Sequence, residues 1–440
     1  MIDDDLDRVL DLSFRSLPTA AIEAARPNVR LDPSQAAAMA GIQSWVRTQR
    51  YTTRVSAPYI VAGYAGTGKS TLLSAFSRVV NNAASGSLLR RSVAYCALTG
   101  KAANVLRSMI APEHAASIST IHSLLYTPEH NERTGGIIGW QKKSKEQFPY
   151  DIIVVDEASM VSGDVFDDLQ SMERPIIAVG DHGQLKPING NFNLMERPTV
   201  VLQQIHRQGR NSPILELASY VRENGFLPAS YENTPDVQIV SKKEIDLVLE
   251  NIFSLPGVTP QDVGVLCHSN RMRVNLNKKV RRIWWNTFQP GAVVTEAPMA
   301  YDTIICLRNY GGVLFNGMRG YVSPMGSMEE SNQFYVGAVH FPDEGFEVEG
   351  RFCRPQFRRP ATFKNLVEYN DETGLLVTAW RQIGCLCDFG YALTVHKSQG
   401  SSFKYVILFD DAPLAMERDE YRRWLYTAVT RSSEKLIILR

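Results

Sequence analysis

The sequence predicts an α/β protein with two parallel-sheet cores, each interrupted by an insertion. Three observations predict it. Runs that are apolar throughout, YIVAGYAG (59–66), SVAYCALTG (92–100), DIIVVDEAS (151–159) and PIIAVGD (175–181), alternate with helix-like stretches, as parallel strands covered on both faces do. A second set, DVGVLCHSN (262–270), YALTVHKSQG (391–400), KYVILFD (404–410) and KLIILR (435–440), repeats the pattern later in the chain. Between them, IICLRNYGGVLFNGMRGYVSP (304–324) and NQFYVGAVHF (332–341) are short strands with glycine turns, which suit a small β-barrel.

Taken in order, residues 1–30 lack glycine and read as a helical lead-in ending near Pro27. Residues 31–125 and 149–200 make the first core, where strand, helix and strand in succession imply right-handed crossovers. The polar stretch 126–148, with Gly135 and Gly136 at its middle, interrupts that core as a protruding hairpin. Residues 201–295 and 384–440 make the second core, and 296–383 are the inserted barrel. At roughly 150 residues per domain, 440 residues allow about three domains, so two cores and one small barrel fit the length.

Composition removes several classes. Lys plus Arg is 47 and Asp plus Glu is 46, a net charge of +1. A uniformly basic nucleic-acid coat is excluded, while a basic groove offset by acidic surface is not. No window offers the roughly 18 uninterrupted apolar residues of a membrane-spanning helix. Asp3, Asp4, Asp5 and Asp7 stand where a secretory leader would carry positive charge, so a cytoplasmic setting is expected. Six cysteines are too sparse for a disulfide scaffold; Cys385 and Cys387, in C-x-C spacing, read as buried thiols rather than metal ligands.

The strongest chemical signal is Gly63-Tyr64-Ala65-Gly66-Thr67-Gly68-Lys69-Ser70, followed by Thr71. It follows an apolar strand and opens the helix-forming TLLSAFSRVV (71–80), the context a phosphate-binding loop requires. Its glycines let backbone N–H groups curl around phosphates at a helix N-terminus. Lys69 would reach the β- and γ-phosphates of ATP, and the Ser70 hydroxyl would ligate Mg²⁺. Asp156 and Glu157 end the strand DIIVV, on the ligand side of an open α/β sheet. There Asp156 can join the Mg²⁺ shell and Glu157 can polarise the attacking water. Gln184, in Gly180-Asp181-His182-Gly183-Gln184-Leu185 after a further apolar strand, can orient water without taking its proton. Arg431 and Arg207 lie outside the first core, so each could reach a phosphate only if two domains close around it, as an arginine finger does. A P-loop small-molecule kinase would leave Arg431 and the second core without a role.

Together these motifs resemble the superfamily 1B DNA helicases, in particular the RecD-like and phage Dda-like members. The resemblance runs almost the whole length: LDPSQ (31–35), GYAGTGKST (63–71), ALTGKAA (97–103), STIHSLL (119–125), DEAS (156–159), GDHGQL (180–185), LQQIHRQ (202–208), YALTVHKSQGSSF (391–403) and YTAVTRS (426–432) match the family's motifs in order. It implies two RecA-like domains of P-loop NTPase type, ATP with Mg²⁺ between them, and single-stranded DNA crossing their tops. By position, Gln35 would read adenine, and Thr99, Lys101, His122, Thr394 and His396 would line the DNA path. The hairpin 126–148 would be the pin subdomain and 296–383 an SH3-like barrel with FNGMRG (315–320) as its signature. The implied activity is ATP-driven 5′→3′ translocation and unwinding of fork duplex by one copy of the chain, in DNA replication, recombination or repair. The alternative is a translocase that mainly displaces bound proteins or acts on RNA. Lys186 stands where the family usually has proline, which puts the shape of the neighbouring DNA contact in doubt. The acidic N-terminal segment reads as a solvated tail, with a replication or single-strand-binding protein as the other reading.

Two further stretches suit a bound strand on their chemistry alone. Residues 271–285 carry Arg271, Arg273, Lys278, Lys279, Arg281 and Arg282 before Trp284 and Trp285. Residues 351–364 carry Arg351, Arg354, Arg358, Arg359 and Lys364 among Phe352, Phe357 and Phe363. Cations interleaved with rings hold phosphates and stack bases, although tryptophans beside a basic helix are more often core under a solvated face. In the hairpin, Ile137, Ile138 and Trp140 are the candidates for a wedge.

Overall fold

The computed structural model describes residues 31–49, 57–81, 92–130, 137–187, 192–204, 212–308, 310, 314, 316–324, 328–330, 333–342, 346–362, 367–369, 376–378 and 384–440. The lead-in 1–30, Arg207 and the hairpin turn at Gly135 and Gly136 lie outside the described residues.

The first half builds α1 (Pro33–Thr48), β1 (Tyr59–Gly63), α2 (Lys69–Asn81), β2 (Val93–Ala97), α3 (Gly100–Met109), β3 (Ile118–Thr120), α4 (Ile121–Leu125), β4 (Tyr126–His130), β5 (Ile137–Lys142), β6 (Ile152–Asp156), α5 (Gly163–Gln170), β7 (Ile176–Gly180) and β8 (Val200–Leu202). Six strands form one sheet in the order β3-β2-β6-β7-β1-β8, every pairing parallel. All residues of β1, β2 and β7 are buried, as the uninterrupted apolar runs require. Successive side chains feed opposite cores: Tyr59 and Val61 join a cluster with Ile42, Leu72 and Leu106, while Ile60 and Ala62 join one with Leu125, Phe166 and Leu169.

The second half builds α6 (Pro213–Asn224), β9 (Val237–Val240), α7 (Ile245–Phe253), β10 (Val263–Cys267), α8 (Asn270–Phe288), β11 (Thr303–Cys306), β12 (Arg319–Val322), β13 (Glu329–Glu330), β14 (Phe334–Phe341), β15 (Phe346–Cys353), β16 (Val367–Tyr369), β17 (Leu376–Thr378), β18 (Cys387–Phe389), β19 (Ala392–Thr394), β20 (Phe403–Phe409), α9 (Arg418–Val429) and β21 (Ser432–Leu439). A second parallel sheet runs β19-β10-β20-β21-β9. The two parallel sheets, each wrapped by helices, are the expected RecA-like pair.

The segment drawn as an insertion holds an antiparallel sheet, β13-β14-β12-β11-β18 with β15 on β14. It takes in Cys387–Phe389, past the sequence-drawn edge at residue 383, because these residues pair with β11. Its apolar face merges with the second domain: Val339, Phe341 and Phe352 share a cluster with Val280, Trp284 and Trp285 of α8. A separate antiparallel pair, β4 and β5, forms the hairpin. Tyr126 and Lys142 at its base both bond Asp168 of α5, and these contacts hold that carboxyl below its usual range.

Helix α8 corrects the strand-binding reading of its basic run. Arg273 pairs with Asp388 at 2.8 Å and Arg281 with Asp302 at 2.6 Å, all four side chains buried, and Lys279 pairs with Asp246. Trp284 and Trp285 are core, and Trp285 donates to Asp302. Only Arg271, Lys278 and Arg282 of that set are exposed. Residues 351–362 likewise bury Phe352 and Phe357, while Arg354 pairs with Glu330 and Arg358 with Glu296; Phe363 and Lys364 lie outside the described residues. All six thiols are free, with Cys385 alone not fully buried. Among the described residues no helix is long and apolar enough to cross a membrane.

Candidate nucleotide and nucleic-acid site

The sheet's parallel order brings the motifs together. β1 leads into the loop 63–68, β6 ends on Asp156, β7 is followed by Asp181, β2 by Thr99 and β3 by His122. All leave carboxyl ends of strands in one parallel sheet and therefore share one edge, where open α/β sheets bind ligands.

Gly68, at φ +77°, must be glycine twice over: the conformation is left-handed, and a Cβ there would lie 2.0 Å from Gln35 Nε2. Lys69 Nζ donates to the carbonyls of Gly63 (2.7 Å) and Tyr64 (3.0 Å), folding the ammonium over the loop. The Thr67 hydroxyl donates to Tyr64 O at 2.9 Å. Gln35 is buried and touches the loop: its Nε2 donates to Thr67 O at 3.4 Å, while its Oε1 accepts from Asp32 N in the capping box of α1. Both ends of the amide are therefore engaged within the protein.

Glu157 follows β6 with φ +51°, a strained conformation for a residue with a side chain, of the kind that collects at functional sites. Its Oε2 is buried with no hydrogen-bond partner among the described residues, and the same holds for Ser159 Oγ, His182 Nδ1 and Gln184 Oε1. Buried polar atoms are nearly always paired. Four such atoms among the described residues fall together in the turns after β6 and β7, where a bound polar group could pair with them. Burial, and then the charge of Glu157, push the Asp156 carboxyl up to about 7, with Lys69 pulling the other way. A divalent cation would favour its ionised form. The Asp156 carboxyl and the Ser70 hydroxyl are the hard oxygen donors Mg²⁺ takes, so these residues fit that ion.

The second domain reaches this edge through α9, whose residues Arg423, Tyr426 and Thr427 meet the loop after β7 in turn. Arg423 donates to His182 O (2.7 Å) and Gln184 O (3.2 Å), and Thr427 Oγ1 accepts from Leu185 N (3.0 Å). The Tyr426 hydroxyl donates to Asp181 Oδ2 and accepts from Ala65 N, each at 2.9 Å. Gln399 donates to Leu185 O, and the Leu185 side chain is buried among Leu393, Val395, Leu425 and Val429 of the second domain. Tyr64 is flanked by the His182 ring (4.2 Å) and by the Arg222 guanidinium of α6 (4.2 Å). The sequence motifs contain Tyr64, His182, Gln184 and Tyr426, but nothing in them pairs these residues with one another. Their partners are roughly 120 to 360 positions apart, and no local pattern joins them.

Arg431 is buried and donates to Ser401 O (3.1 Å) and Thr427 O (3.2 Å), both within the second domain. The second-domain side chains that touch the phosphate loop here are Tyr426 and Arg222.

The DNA-path candidates sit near the same edge. The Thr99 hydroxyl caps α3 by accepting from Ala102 N at 3.2 Å, and Lys101 lies in that helix's first turn. His122 is half-buried and stacks on Tyr126 at 4.7 Å, its basicity lowered by burial. Thr394 ends β19 and its hydroxyl accepts from Lys397 N. His396 follows with its basicity lowered by burial and by His268. A Cβ on Gly400 would lie 3.2 Å from Thr99 Oγ1, so the loop after His396 comes close against the start of α3.

Comparisons with known proteins agree with this layout. Residues 31–240 match an AAA domain and residues 389–439 a UvrD-like helicase C-terminal domain. The ATP-dependent RecD2 DNA helicase of Deinococcus radiodurans is 26% identical over 395 residues, covering 86% of this chain and 46% of the relative. The RecBCD enzyme subunit RecD of Mycobacterium tuberculosis is 24% identical over 406 residues, covering 86% and 66%. This chain thus spans about half to two thirds of the length of these relatives. The fold is shared with Pif1 helicase from Candida albicans (TM-score 0.51, 18% identity, 94% of each chain). It is also shared with Pif1 helicase from Bacteroides in complex with ADP-AlF3 and ssDNA (TM-score 0.50, 16% identity, 90% of this chain and 91% of that one).

Proposed function

We propose that the chain is a superfamily 1B helicase, an ATP-driven motor that translocates 5′→3′ on single-stranded DNA and unwinds fork duplex. One observation carries the reading: the phosphate loop, the acid pair and the sensor turn share one edge, and α9 of the second domain closes onto it through Tyr426.

Loop amides and the start of α2 bind the triphosphate, and Lys69 exchanges the carbonyls of Gly63 and Tyr64 for phosphate oxygens. Ser70 and Asp156 would hold Mg²⁺, which would neutralise charge developing on the phosphates. Glu157, whose Oε2 has no partner among the described residues, takes the proton of the attacking water, and Gln184 Oε1 orients that water. Arg431, and Arg207 from the segment before α6, serve as arginine fingers as the domains tighten. Gln35 reads the adenine edge by giving up its present partners, while Gly63, Gly66, Thr67, Gly68 and Thr71 complete the loop.

Thr99, Lys101 and His122 on the first domain and Thr394 and His396 on the second grip the strand, so that closing and opening advances one grip past the other. The hairpin, anchored at Asp168, is the wedge. Separating one base-pair step costs on the order of 1.4 kcal/mol in stacking, within reach of one ATP cycle. The antiparallel sheet around β14 is the SH3-like domain, and one copy of the chain suffices.

The test is ATP turnover with and without oligo-dT, in wild type and Lys69→Ala. The proposal expects strong stimulation by oligo-dT, abolished in the variant with its melting temperature retained. Unstimulated turnover, or full activity in Lys69→Ala, would overturn it.

A further inference from the structure

We propose that Tyr426 is a positioning residue that couples the chemistry of the phosphate loop to movement of the second domain. The proposal rests on the functional reading above and deepens it. The Tyr426 hydroxyl is 2.9 Å from an amide of the phosphate loop and 2.9 Å from the carboxylate of Asp181, which heads the turn carrying Gln184. It is one atom belonging to the second domain, bonded to two separate working parts of the first.

The surroundings leave this atom no substitute. Tyr426 and Asp181 are almost completely buried, so water cannot take over either bond. Asp181 also accepts from Gly183 N at 2.9 Å, which fixes the shape of the turn. A Cβ on Gly183 would lie 3.1 Å from both Tyr426 Cε1 and Tyr64 Cε1, so the turn is pressed directly against the ring. Residues 423, 426 and 427 fall at i, i+3 and i+4 on α9 and therefore share a face. That face meets the turn at His182, Asp181 and Leu185, while Arg431 beyond the helix end donates back to Thr427 O. Helix α9 is thus a rigid bar with the sensor turn along its side and Arg431 at its end. Rearrangement of the loop amides as phosphates are bound and released reaches that bar through the Ala65–Tyr426 hydrogen bond. A buried hydroxyl bonded only within its own domain could carry no such signal.

The experiment compares wild type, Tyr426→Phe, Asp181→Asn and the double variant, with melting temperature measured for each. The readouts are kcat and KM for ATP at saturating oligo-dT, and ATP consumed per base pair unwound on a forked duplex. We expect Tyr426→Phe to lower kcat about tenfold, to leave KM within about threefold, and to raise ATP consumed per base pair at least threefold. Asp181→Asn should do the same if Tyr426→Phe folds poorly, and the double variant should be no worse than the worse single. Unchanged kcat and coupling in both single variants, or losses that follow melting temperature with coupling intact, would overturn the proposal while leaving the functional reading in place. A wild-type protein whose turnover ignores oligo-dT would overturn both.

Discussion

Leu185 belongs to the first domain's sensor turn, yet its side chain lies 3% exposed in the second domain's core, among Leu393, Val395, Leu425 and Val429. Replacing it with alanine deletes three carbons, worth about 2.4 kcal/mol of transfer at roughly 0.8 per methylene. Adding a partly collapsed cavity gives about 3 kcal/mol, inside the roughly 2–5 kcal/mol range for such changes. Because the contact spans the domains, that loss falls on their closure, and about 3 kcal/mol shifts a closed-to-open ratio by roughly two decades. Leu408→Ala, in the same cluster but wholly within the second domain, removes similar burial and serves as the control. Dyes placed through Ser108→Cys on α3 and Glu250→Cys on α7, both exposed, report the separation of the domains by energy transfer. Leu185→Ala should lower transfer, while Leu408→Ala should lower the melting temperature and leave transfer unchanged. Equal transfer in wild type and Leu185→Ala would refute the idea that this side chain holds the cleft.

Other consequences are more local. Glu157→Gln should reduce ATP turnover by roughly 10²–10⁴ while ATP still binds, measured by single-turnover hydrolysis beside equilibrium nucleotide binding. Lys397 is held down to about 8 from 10.5, by burial first and then by Arg273. Below pH 8 the folded protein bears the cost of burying its charge, and between 8 and 10.5 the unfolded chain binds more protons, so stability rises with pH. Lys397→Met should therefore be more stable than wild type at pH 7, by up to about 3 kcal/mol. That advantage should shrink towards pH 10, and a difference constant with pH in paired denaturant melts would contradict the shift. Arg273→Met, which leaves Asp388 buried without its cation, should cost about 3–5 kcal/mol by the same melts. Adding Asp388→Asn should recover part of that.

Much of the site was legible because its chemistry is tied to local patterns. Uninterrupted apolar runs suit strands covered on both faces, and β1, β2 and β7, all buried, run parallel in one sheet, so the motifs at their carboxyl ends share an edge. What escaped depends on partners distant in sequence. The cations of α8 looked like a nucleic-acid surface until Asp388 and Asp302, 115 and 21 positions from their arginines, turned Arg273 and Arg281 inward. Tyr426 opens the YTAVTRS motif, but nothing in that motif gives it a partner, and its meaning lies in Ala65, 361 positions away. Thr99, read as lining the DNA path, caps α3. The small sheet's edge was drawn short because Cys387–Phe389 continues directly into β19, with no composition change to mark where one sheet gives way to the other.

Hydrolysis at the shared cleft is proposed to drive directed movement along a single strand. Unwinding of matched duplexes bearing either a 5′ or a 3′ single-stranded tail, with ATP and Mg²⁺, tests it most directly. Strand separation is expected from the 5′-tailed substrate, little from the 3′-tailed one, and none in Lys69→Ala. Equal unwinding of both tails, or separation that persists in that variant, would contradict it.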